Sequence, residues 1–242
     1  MYFSLITPTP GAEREAAMQW AKSPYGDHQW LWQFLATTAG MPRDFLFRRR
    51  DGENNMPGFY VVSTRKPQSF SDAWQVQTRD YDPQLQEGER VSFELKANPV
   101  VTHKVNGKSR RDDVVMQEKK HLLAGRGLMR WADWPDVDES KPALYELVQA
   151  KCLGWLERRA EQAGFHVPTR AIQDDQGVRT EKAVRVDGYT QHRAELKEIR
   201  FSTVDFAGEL EITDATAFRK TLHEGLGHAK AFGCGLLLVR RL

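Results

Sequence analysis

The sequence predicts an α+β protein made of two tandem ferredoxin-like domains of the βαββαβ, RRM-like kind. The chain has 242 residues, of which 40% are hydrophobic, and this is enough for two small domains with packed cores. Short segments follow one another in the order strand, helix, strand, strand, connection, strand, and the order repeats after a polar stretch at residues 80–90. We therefore expect one domain at residues 1–84 and a second at residues 85–242.

The elements of the first half are predicted from alternation and helix-start signals. Residues 2–7 alternate and contain aromatic and branched side chains, which is typical of a strand, and Pro8 ends it. A helix is predicted over residues 11–22, and a second begins at Ser23-Pro24, because Ser caps helices and Pro fits the first turn. We expect the second helix to end near residue 38. Residues 45–49 and 59–64 are predicted to form a hairpin, and residues 74–78 a further strand.

The second half repeats this order with a long amphipathic helix at residues 142–163 after a strand at 91–97. The segment at residues 103–130 contains Asn106-Gly107, and we expect it to be a loop insertion without regular structure. The other predicted elements are strands at residues 183–193, 195–201, 204–212 and 236–240, a turn at Asp187-Gly188, and a helix capped by Asp214 that ends near residue 223.

Composition excludes several classes of protein. The net charge of +2 is too small to indicate nucleic-acid binding by itself, and a mean hydropathy of -0.61 argues against a membrane protein. The N-terminus has no secretory signal pattern, so a cytoplasmic protein is expected. Cys152 and Cys234 lie far apart, which argues against a disulfide framework and a cysteine-rich zinc site and favours two core residues.

Positive charge is concentrated in residues 103–130, where eight Lys and Arg face three Asp and Glu. Such an excess is typical of a segment that contacts phosphates, although a solvated charged insertion is an equally good explanation. Arg158 and Arg159 lie late in the long helix, where cations are favourable near the C-terminus, and gripping RNA would be a second role. The predicted RNA-contacting residues of these two segments are Lys104, Lys108, Arg110, Arg111, Arg158 and Arg159.

Tyr25 and His28 are three residues apart in the helix that begins at Ser23-Pro24, so their side chains lie on one face. An imidazole and a phenol together offer proton transfer without a metal. RNA supplies its own nucleophile, the ribose 2′-hydroxyl, so its cleavage needs only a base, an acid and stabilisation of the phosphorane charge. The alternative is a packing histidine, because Leu31, Trp32 and Leu35 follow His28 at helical spacing.

Residues 225–235 contain four glycines, Gly225, Gly227, Gly233 and Gly235, with Lys230 among them. Glycines let backbone N–H groups approach an anion, and a lysine adds charge, as in phosphate-cradling loops. The stretch is neither a Walker loop nor a dinucleotide fingerprint, since it lacks Gly-Lys-Ser/Thr and follows a helix. A structural tight turn is the alternative.

Several stretches together resemble the CasE family of CRISPR precursor-RNA endoribonucleases, in the repeat-associated RNA-binding superfamily. The resemblance spans nearly the whole chain, and the order and spacing of the stretches make it specific. Its carriers are residues 1–5, Pro24-Tyr25-Gly26-Asp27-His28-Gln29-Trp30-Leu31-Trp32, Arg43-Asp44-Phe45-Leu46-Phe47-Arg48, residues 91–100, Trp155-Leu156-Glu157-Arg158-Arg159, residues 204–208 and the glycine stretch through Leu237.

The resemblance implies metal-independent cleavage at the base of a repeat hairpin, with no cofactor, leaving a 2′,3′-cyclic phosphate and a 5′-hydroxyl. It implies His28 as the catalytic histidine and Tyr25 as its partner, and a place beside other Cascade subunits, holding the CRISPR repeat RNA hairpin. Some members carry a lysine shortly after the histidine, whereas Gln33 and its neighbours offer none, so the charge-stabilising cation is not located. His228 stands where the family often has Arg or Pro, and it is a further candidate RNA contact or proton carrier. The alternative function is a noncatalytic RNA-binding subunit of the same fold.

Overall fold

The computed structural model describes residues 1–20, 24–36, 41–52, 56–105, 107–174, 177–194 and 199–242. Antiparallel sheets with helices packed against them form a mixed α and β architecture. Among the described residues, no helix has the length and apolar character needed to cross a membrane.

The N-terminal half forms one four-stranded sheet. Its strand order is β2-β3-β1-β4, and every pairing is antiparallel. The elements of this half are β1 (Tyr2–Pro8), α1 (Glu13–Gln19), α2 (Pro24–Leu31), a 3₁₀ turn (Trp32–Phe34), β2 (Phe45–Asp51), β3 (Pro57–Ser63) and β4 (Trp74–Asp80).

The predicted strands of this half are confirmed, and both helices are shorter than predicted. The first ends where Trp20 turns to extended backbone, and the second tightens into the 3₁₀ turn at Trp32–Phe34, after which Leu35 is extended. After the second helix Leu35 stays buried on extended backbone, so apolar periodicity overestimates the length of this helix. The predicted cap Ser23 lies outside the described residues.

The C-terminal half is built on a five-stranded sheet. Four strands follow the order β11-β12-β5-β13, and β8 adds to the end of β12. The elements are β5 (Arg90–Ala97), β6 (Val100–Val105), β7 (Lys108–Asp113), α3 (Val114–Ala124), a 3₁₀ turn (Trp131–Asp133), α4 (Leu144–Ala163), β8 (Phe165–His166), β9 (Thr169–Asp174), β10 (Gly177–Lys182), β11 (Val184–Ala194), β12 (Ile199–Ile212), α5 (Ala215–Glu224), a 3₁₀ turn (Lys230–Phe232) and β13 (Leu237–Arg241).

The prediction that the basic segment lacks regular structure is wrong. β6 and β7 form a two-stranded hairpin, and α3 follows directly. Gly107 adopts a φ of +76° at the hairpin turn, where glycine is favoured. The Asp113 carboxylate accepts a hydrogen bond from the Met116 N–H at 2.8 Å, which caps α3. A second hairpin, β9 with β10, is not among the predicted elements.

The predicted turn at Asp187-Gly188 is also wrong, because both residues lie inside β11. Pairing with β12 shifts register between Asp187 and Thr190, and Gly188 has a φ of +62°, so this pair forms a β-bulge. β11 pairs antiparallel with β12, and residues 195–198 between the two strands lie outside the described residues. The Asp214 cap of α5 is confirmed by its hydrogen bond from the Ala217 N–H at 2.9 Å.

Buried apolar side chains form three clusters. One lies within residues 6–74, and a larger one lies within residues 85–237. The third contains Leu46, Val62 and Leu236, and it joins the two sheets. Cys152 and Cys234 are free and fully buried, as the sequence predicts.

Candidate active site and RNA interface

His28 lies on α2, where the helix passes the start of β2. Its imidazole is half-buried and stacks on Phe45, with ring centroids 5.6 Å apart and an interplanar angle of 19°. Trp32 meets the same ring edge-on at 6.1 Å. The packing partners that the helical spacing predicts are therefore partly confirmed, and they fix the ring rather than enclose it completely.

One ring nitrogen of His28, Nε2, is buried without a hydrogen-bond partner among the described residues. Burial lowers the pKa of His28, and the nearby charge of Arg43 lowers it further. The imidazole is consequently neutral at neutral pH, which is the form that can accept a proton.

Arg43 lies near this histidine, and Lys230 lies near Arg43. Arg43 is half-buried, and burial lowers its pKa. The 3₁₀ turn Lys230–Phe232 packs against α2 and brings Lys230 toward the same place. Burial lowers the pKa of Lys230, and so does the charge of Arg43, while its Nζ donates to the Glu224 carbonyl at 2.5 Å. Sequence reasoning identifies Lys230 and misses Arg43, because only the fold brings the start of β2 beside α2.

Asp27, next to His28 in the chain, is a second residue that sequence reasoning misses. It is 4% exposed, and its carboxylate accepts a hydrogen bond from the Trp20 Nε1–H at 2.7 Å. Burial raises the pKa of Asp27 to about 6, against the lowering effects of the Trp20 hydrogen bond and of Arg49. An Asp in the first turn of a helix normally faces solvent, so the sequence carries no sign of this burial.

Tyr25 belongs to the first turn of α2, three residues before His28. Its side chain lies outside the part of the structure that is described. The role of Tyr25 as partner of His28 therefore stays a prediction.

The glycine stretch is packed between the two sheets. Gly225, Gly227, Gly233 and Gly235 all have positive φ, from +75° to +91°. A Cβ on Gly225 would lie 2.9 Å from Leu46, and one on Gly233 would lie 3.2 Å from Phe47. These close approaches favour the structural alternative for the glycines, and an RNA contact by the loop backbone stays a prediction.

The β6–β7 hairpin presents part of its charge to solvent. Arg110 pairs with Asp112 at 3.2 Å, and His103 contacts the same carboxylate at 2.9 Å. Lys104, Lys108 and Arg111 are exposed, and no carboxylate of the described residues pairs with them. Cations later in the basic segment are used internally: Lys119 lies over Trp131, Arg126 lies over Trp134, and Arg130 pairs with Asp133.

Arg158 and Arg159 differ in environment. Arg158 is exposed on α4. Arg159 lies over the Trp155 ring at 4.1 Å and donates from Nη2 to the Val100 carbonyl at 2.8 Å. Burial lowers its pKa, and the charge of Arg158 adds to this. Arg159 thus fixes the start of the basic hairpin to the long helix, while RNA contact by either arginine stays a prediction.

Metal-ligating side chains are not clustered in this site. Across the described ranges of the chain, no three His, Cys, Asp or Glu side chains lie together as a metal-binding group. What the arrangement does offer is an unpartnered imidazole nitrogen with two cations nearby.

Comparison with known proteins gives a consistent result. A family model described as CRISPR associated protein matches residues 1–241 of the chain. The chain is 28% identical over 229 residues to the CRISPR system Cascade subunit CasE of Escherichia coli, covering 93% of this chain and 96% of that protein. It is 25% identical over 251 residues to the CRISPR-associated endoribonuclease Cse3 of Thermus thermophilus, covering 99% of each.

Solved structures share the fold. The structure of Thermus thermophilus Cse3 bound to an RNA that represents a pre-cleavage complex has a TM-score of 0.64 and 23% identity, covering 99% of this chain and 98% of that chain. Cas6e from Escherichia coli has a TM-score of 0.57 and 24% identity over 100% of both chains. The arrangement of antiparallel sheets described above is therefore the fold of these proteins.

Proposed function

Because this chain belongs to the family of CRISPR-associated proteins, we propose that it is an endoribonuclease that cuts CRISPR precursor RNA at the base of the repeat hairpins. The observation that carries the proposal is the imidazole of His28, whose buried Nε2 has no partner among the described residues and lies in a site with Arg43 and Lys230. The names of the relatives CasE and Cse3 support the same activity.

The proposed reaction uses the 2′-hydroxyl of the RNA as nucleophile. His28 accepts the proton of that hydroxyl, the 2′-oxygen forms a bond to phosphorus, and the bond from phosphorus to the 5′-oxygen breaks. The departing 5′-oxygen takes a proton from water, with Tyr25 orienting or assisting, and His28 returns its proton to the solvent. The products are a 2′,3′-cyclic phosphate and a 5′-hydroxyl, and no metal takes part.

Arg43 and Lys230 supply the cations that this reaction needs. Charge builds up on the phosphate oxygens in the phosphorane, and fixed cations in a partly desolvated site stabilise it more than water does. The lowered pKa values of both groups reflect burial of positive charge, which an incoming phosphate would offset. Since Nε2 of His28 is buried in the free protein, RNA binding has to open a path to it.

Two ferredoxin-like domains, at residues 1–84 and 85–242, are part of the proposal. The orders β2-β3-β1-β4 and β11-β12-β5-β13 are both 2-3-1-4 when these four strands of each sheet are numbered in chain order, with the short β8 left out. The two main buried clusters also fall on either side of residue 84. On this division, β6, β7, α3, β9 and β10 are insertions in the second domain.

The proposed partners are the repeat RNA hairpin and other Cascade subunits. The exposed cations Lys104, Lys108 and Arg111 suit the phosphates of an RNA stem. One relative is named as a Cascade subunit, and a structural neighbour holds RNA. We include retention of the cleaved hairpin within such a complex in the proposal.

The decisive experiment compares wild type with His28→Ala on a repeat hairpin RNA in EDTA. Wild type is expected to cut at one site with a cyclic phosphate end, and the variant is expected to bind equally well but cut about 10²- to 10⁴-fold more slowly. His166→Ala, at an exposed histidine of β8, is the matched control and should cut like wild type.

Three results would overturn parts of this proposal. Full cleavage by His28→Ala would move the chemistry elsewhere. Cleavage by wild type only after metal is added would reject the metal-independent reaction. Binding without any cleavage by wild type would leave a noncatalytic RNA-binding subunit.

A further inference from the structure

Three rings form a continuous stack beside the glycine stretch. His192 on β11 stacks on Phe201 on β12, with centroids 4.8 Å apart and an interplanar angle of 21°. Phe201 in turn stacks on Phe232 of the 3₁₀ turn, at 4.4 Å and 30°. The stack therefore connects the edge of the second sheet to the segment that packs against α2.

These rings are not part of the protein core. All three are half-buried, and none belongs to the buried apolar clusters. The imidazole of His192 is held by a hydrogen bond between Nε2 and the Thr203 hydroxyl at 2.8 Å. Among the described residues β11 is the edge strand of its sheet, so no described strand of that sheet lies beside the face of His192 turned away from Phe201.

The stack borders an open groove of about 680 Å³. Three exposed cations also line the groove, namely Arg111, Arg193 and Arg200, and no carboxylate of the described residues pairs with them. Arg193 and Arg200 are directly opposite each other across β11 and β12, an arrangement of like charges that disfavours the sheet. Positive charge around an aromatic platform is the combination that binds single-stranded nucleic acid.

The groove lies close to the candidate active site. His228 and Ala229 of the glycine stretch line it together with Phe232. A smaller groove is lined by the same three rings and also by Asp27, the neighbour of His28. The rings thus lie between the helix of the candidate base and the basic strand β7.

We propose that the free face of His192 is a stacking site for one unpaired nucleobase of the RNA, adjacent to the cleavage site. Arg111 and Arg200 contact the backbone phosphates on either side of that nucleotide. This proposal rests on the proposed function, because it assumes RNA as the substrate. In this proposal His192 binds a nucleobase and takes no part in proton transfer. The stacking site accepts any of the four bases, because each base presents an aromatic face.

The test combines His192 variants with RNAs that lack one base. Repeat hairpins are prepared with an abasic residue at each unpaired position on either side of the cleavage site, and their Kd values for wild type and His192→Ala are measured. At one position, removal of the base should raise the Kd of the wild-type protein about 5- to 100-fold. His192→Ala should bind that abasic RNA and the intact RNA with equal Kd. His192→Phe keeps an aromatic face and should behave like wild type.

A fluorescent base gives a second readout. With 2-aminopurine at the identified position, binding to wild type and His192→Phe should quench emission, and binding to His192→Ala should not. A purely structural stack predicts a different pattern, in which His192→Ala weakens all RNAs alike and the abasic penalty remains. That pattern, or a wild-type protein indifferent to every abasic position, would overturn the inference.

The experiment distinguishes failure of the stacking site from failure of the proposed endoribonuclease function. Cleavage of the unmodified hairpin by wild type establishes the activity on its own. If wild type cuts this RNA but shows no abasic penalty, the stacking site is wrong and the endoribonuclease remains. If wild type neither binds nor cuts the hairpin, the proposed function itself fails.

Discussion

A single buried carboxyl group adjoins the candidate base. The Asp27 carboxyl loses its hydration on folding and accepts a hydrogen bond from Trp20. Its pKa in the folded protein is about 6, against an ordinary value of 3.8 for an aspartate in water. The folded state therefore binds this proton more tightly than the unfolded state, and the stability contribution of the group falls as pH rises from about 4 to about 6.

Asp27→Asn is accordingly expected to stabilise the protein above pH 6 and to leave its stability unchanged near pH 4. The amide accepts the Trp20 hydrogen bond without burying a charge, and the gain is at most about 3 kcal/mol. Urea unfolding of both proteins at the two pH values measures it. The exposed Asp72→Asn is the control, and a gain that is equal at both pH values would contradict the explanation.

The positive charge of Arg43 provides a second test of the electrostatics of the site. Arg43→Gln should slow cleavage about 10²-fold, because a cation near the phosphorane is removed. The limb of the pH profile that reports His28 should also move to higher pH, since Arg43 lowers the pKa of that histidine.

Pre-steady-state cleavage across a pH series measures both effects of Arg43→Gln. Arg14→Gln, at an exposed position of α1, should change neither. An unchanged pH profile in Arg43→Gln would show that Arg43 does not act on His28.

The candidate site can be predicted from the sequence only in part. The helical spacing of His28 and the charge of Lys230 are local features, so sequence reasoning identifies both. The burial of Asp27 and the position of Arg43 depend on how α2, β2 and the glycine stretch pack together, which no local pattern encodes.

At the scale of elements, the β6–β7 hairpin is a basic surface. It carries three exposed, unpaired cations on two short strands. An RNA stem bound to them would release counterions in proportion to the phosphates contacted.

Replacing Lys104, Lys108 and Arg111 by Gln should weaken RNA binding and flatten its salt dependence. The slope of log Kd against log salt should fall by about 1 for each phosphate that the variant no longer neutralises. A matched double variant, Arg170→Gln with Lys182→Gln, removes cations of β9 and β10 that pair with Glu181 and Glu157, and should leave the slope unchanged. Equal slopes in all three proteins would place the RNA elsewhere.

The order of the main strands follows from the sequence, and two of the wrong predictions, the irregular basic segment and the Asp187-Gly188 turn, have a common cause. Alternation and helix caps are local, so they predict the strands of both sheets and the Asp214 cap. Asn106-Gly107 suggests irregular structure when it is considered alone, although such a pair is also a tight hairpin turn. Asp187-Gly188 likewise suggests a turn, but pairing with β12 across the sheet makes it a bulge.

At the scale of the whole molecule, the glycine stretch joins the two sheets. Gly225 lies against Leu46 from the first half and the Gly235 carbonyl from the second. The buried cluster of Leu46, Val62 and Leu236 lies at the same junction. The relative position of His28 and the basic hairpin therefore depends on side chains that approach glycine closely.

Gly225→Ala should destabilise the protein more than Gly88→Ala. Both glycines have φ near +80°, and at Gly225 a ψ of 161° adds a conformation essentially restricted to glycine, which costs alanine about 1–3 kcal/mol. Only at Gly225 would the new Cβ lie 2.9 Å from other atoms, whereas nothing lies within 4 Å at Gly88, so overpacking adds about 1–3 kcal/mol. Thermal and urea unfolding give the difference, and equal losses of stability would show that the junction tolerates the methyl group.

The two cysteines have a practical consequence for studying motion between the halves. Burial raises the pKa of Cys152 and of Cys234 to about 12, and neither side chain is exposed, so both thiols are inert toward maleimides in the folded protein. One new cysteine on each half, at surface positions such as Asp72 and Lys220, would then carry a donor and an acceptor dye on an otherwise native chain. Energy transfer between the dyes would report directly whether the junction opens when RNA reaches His28.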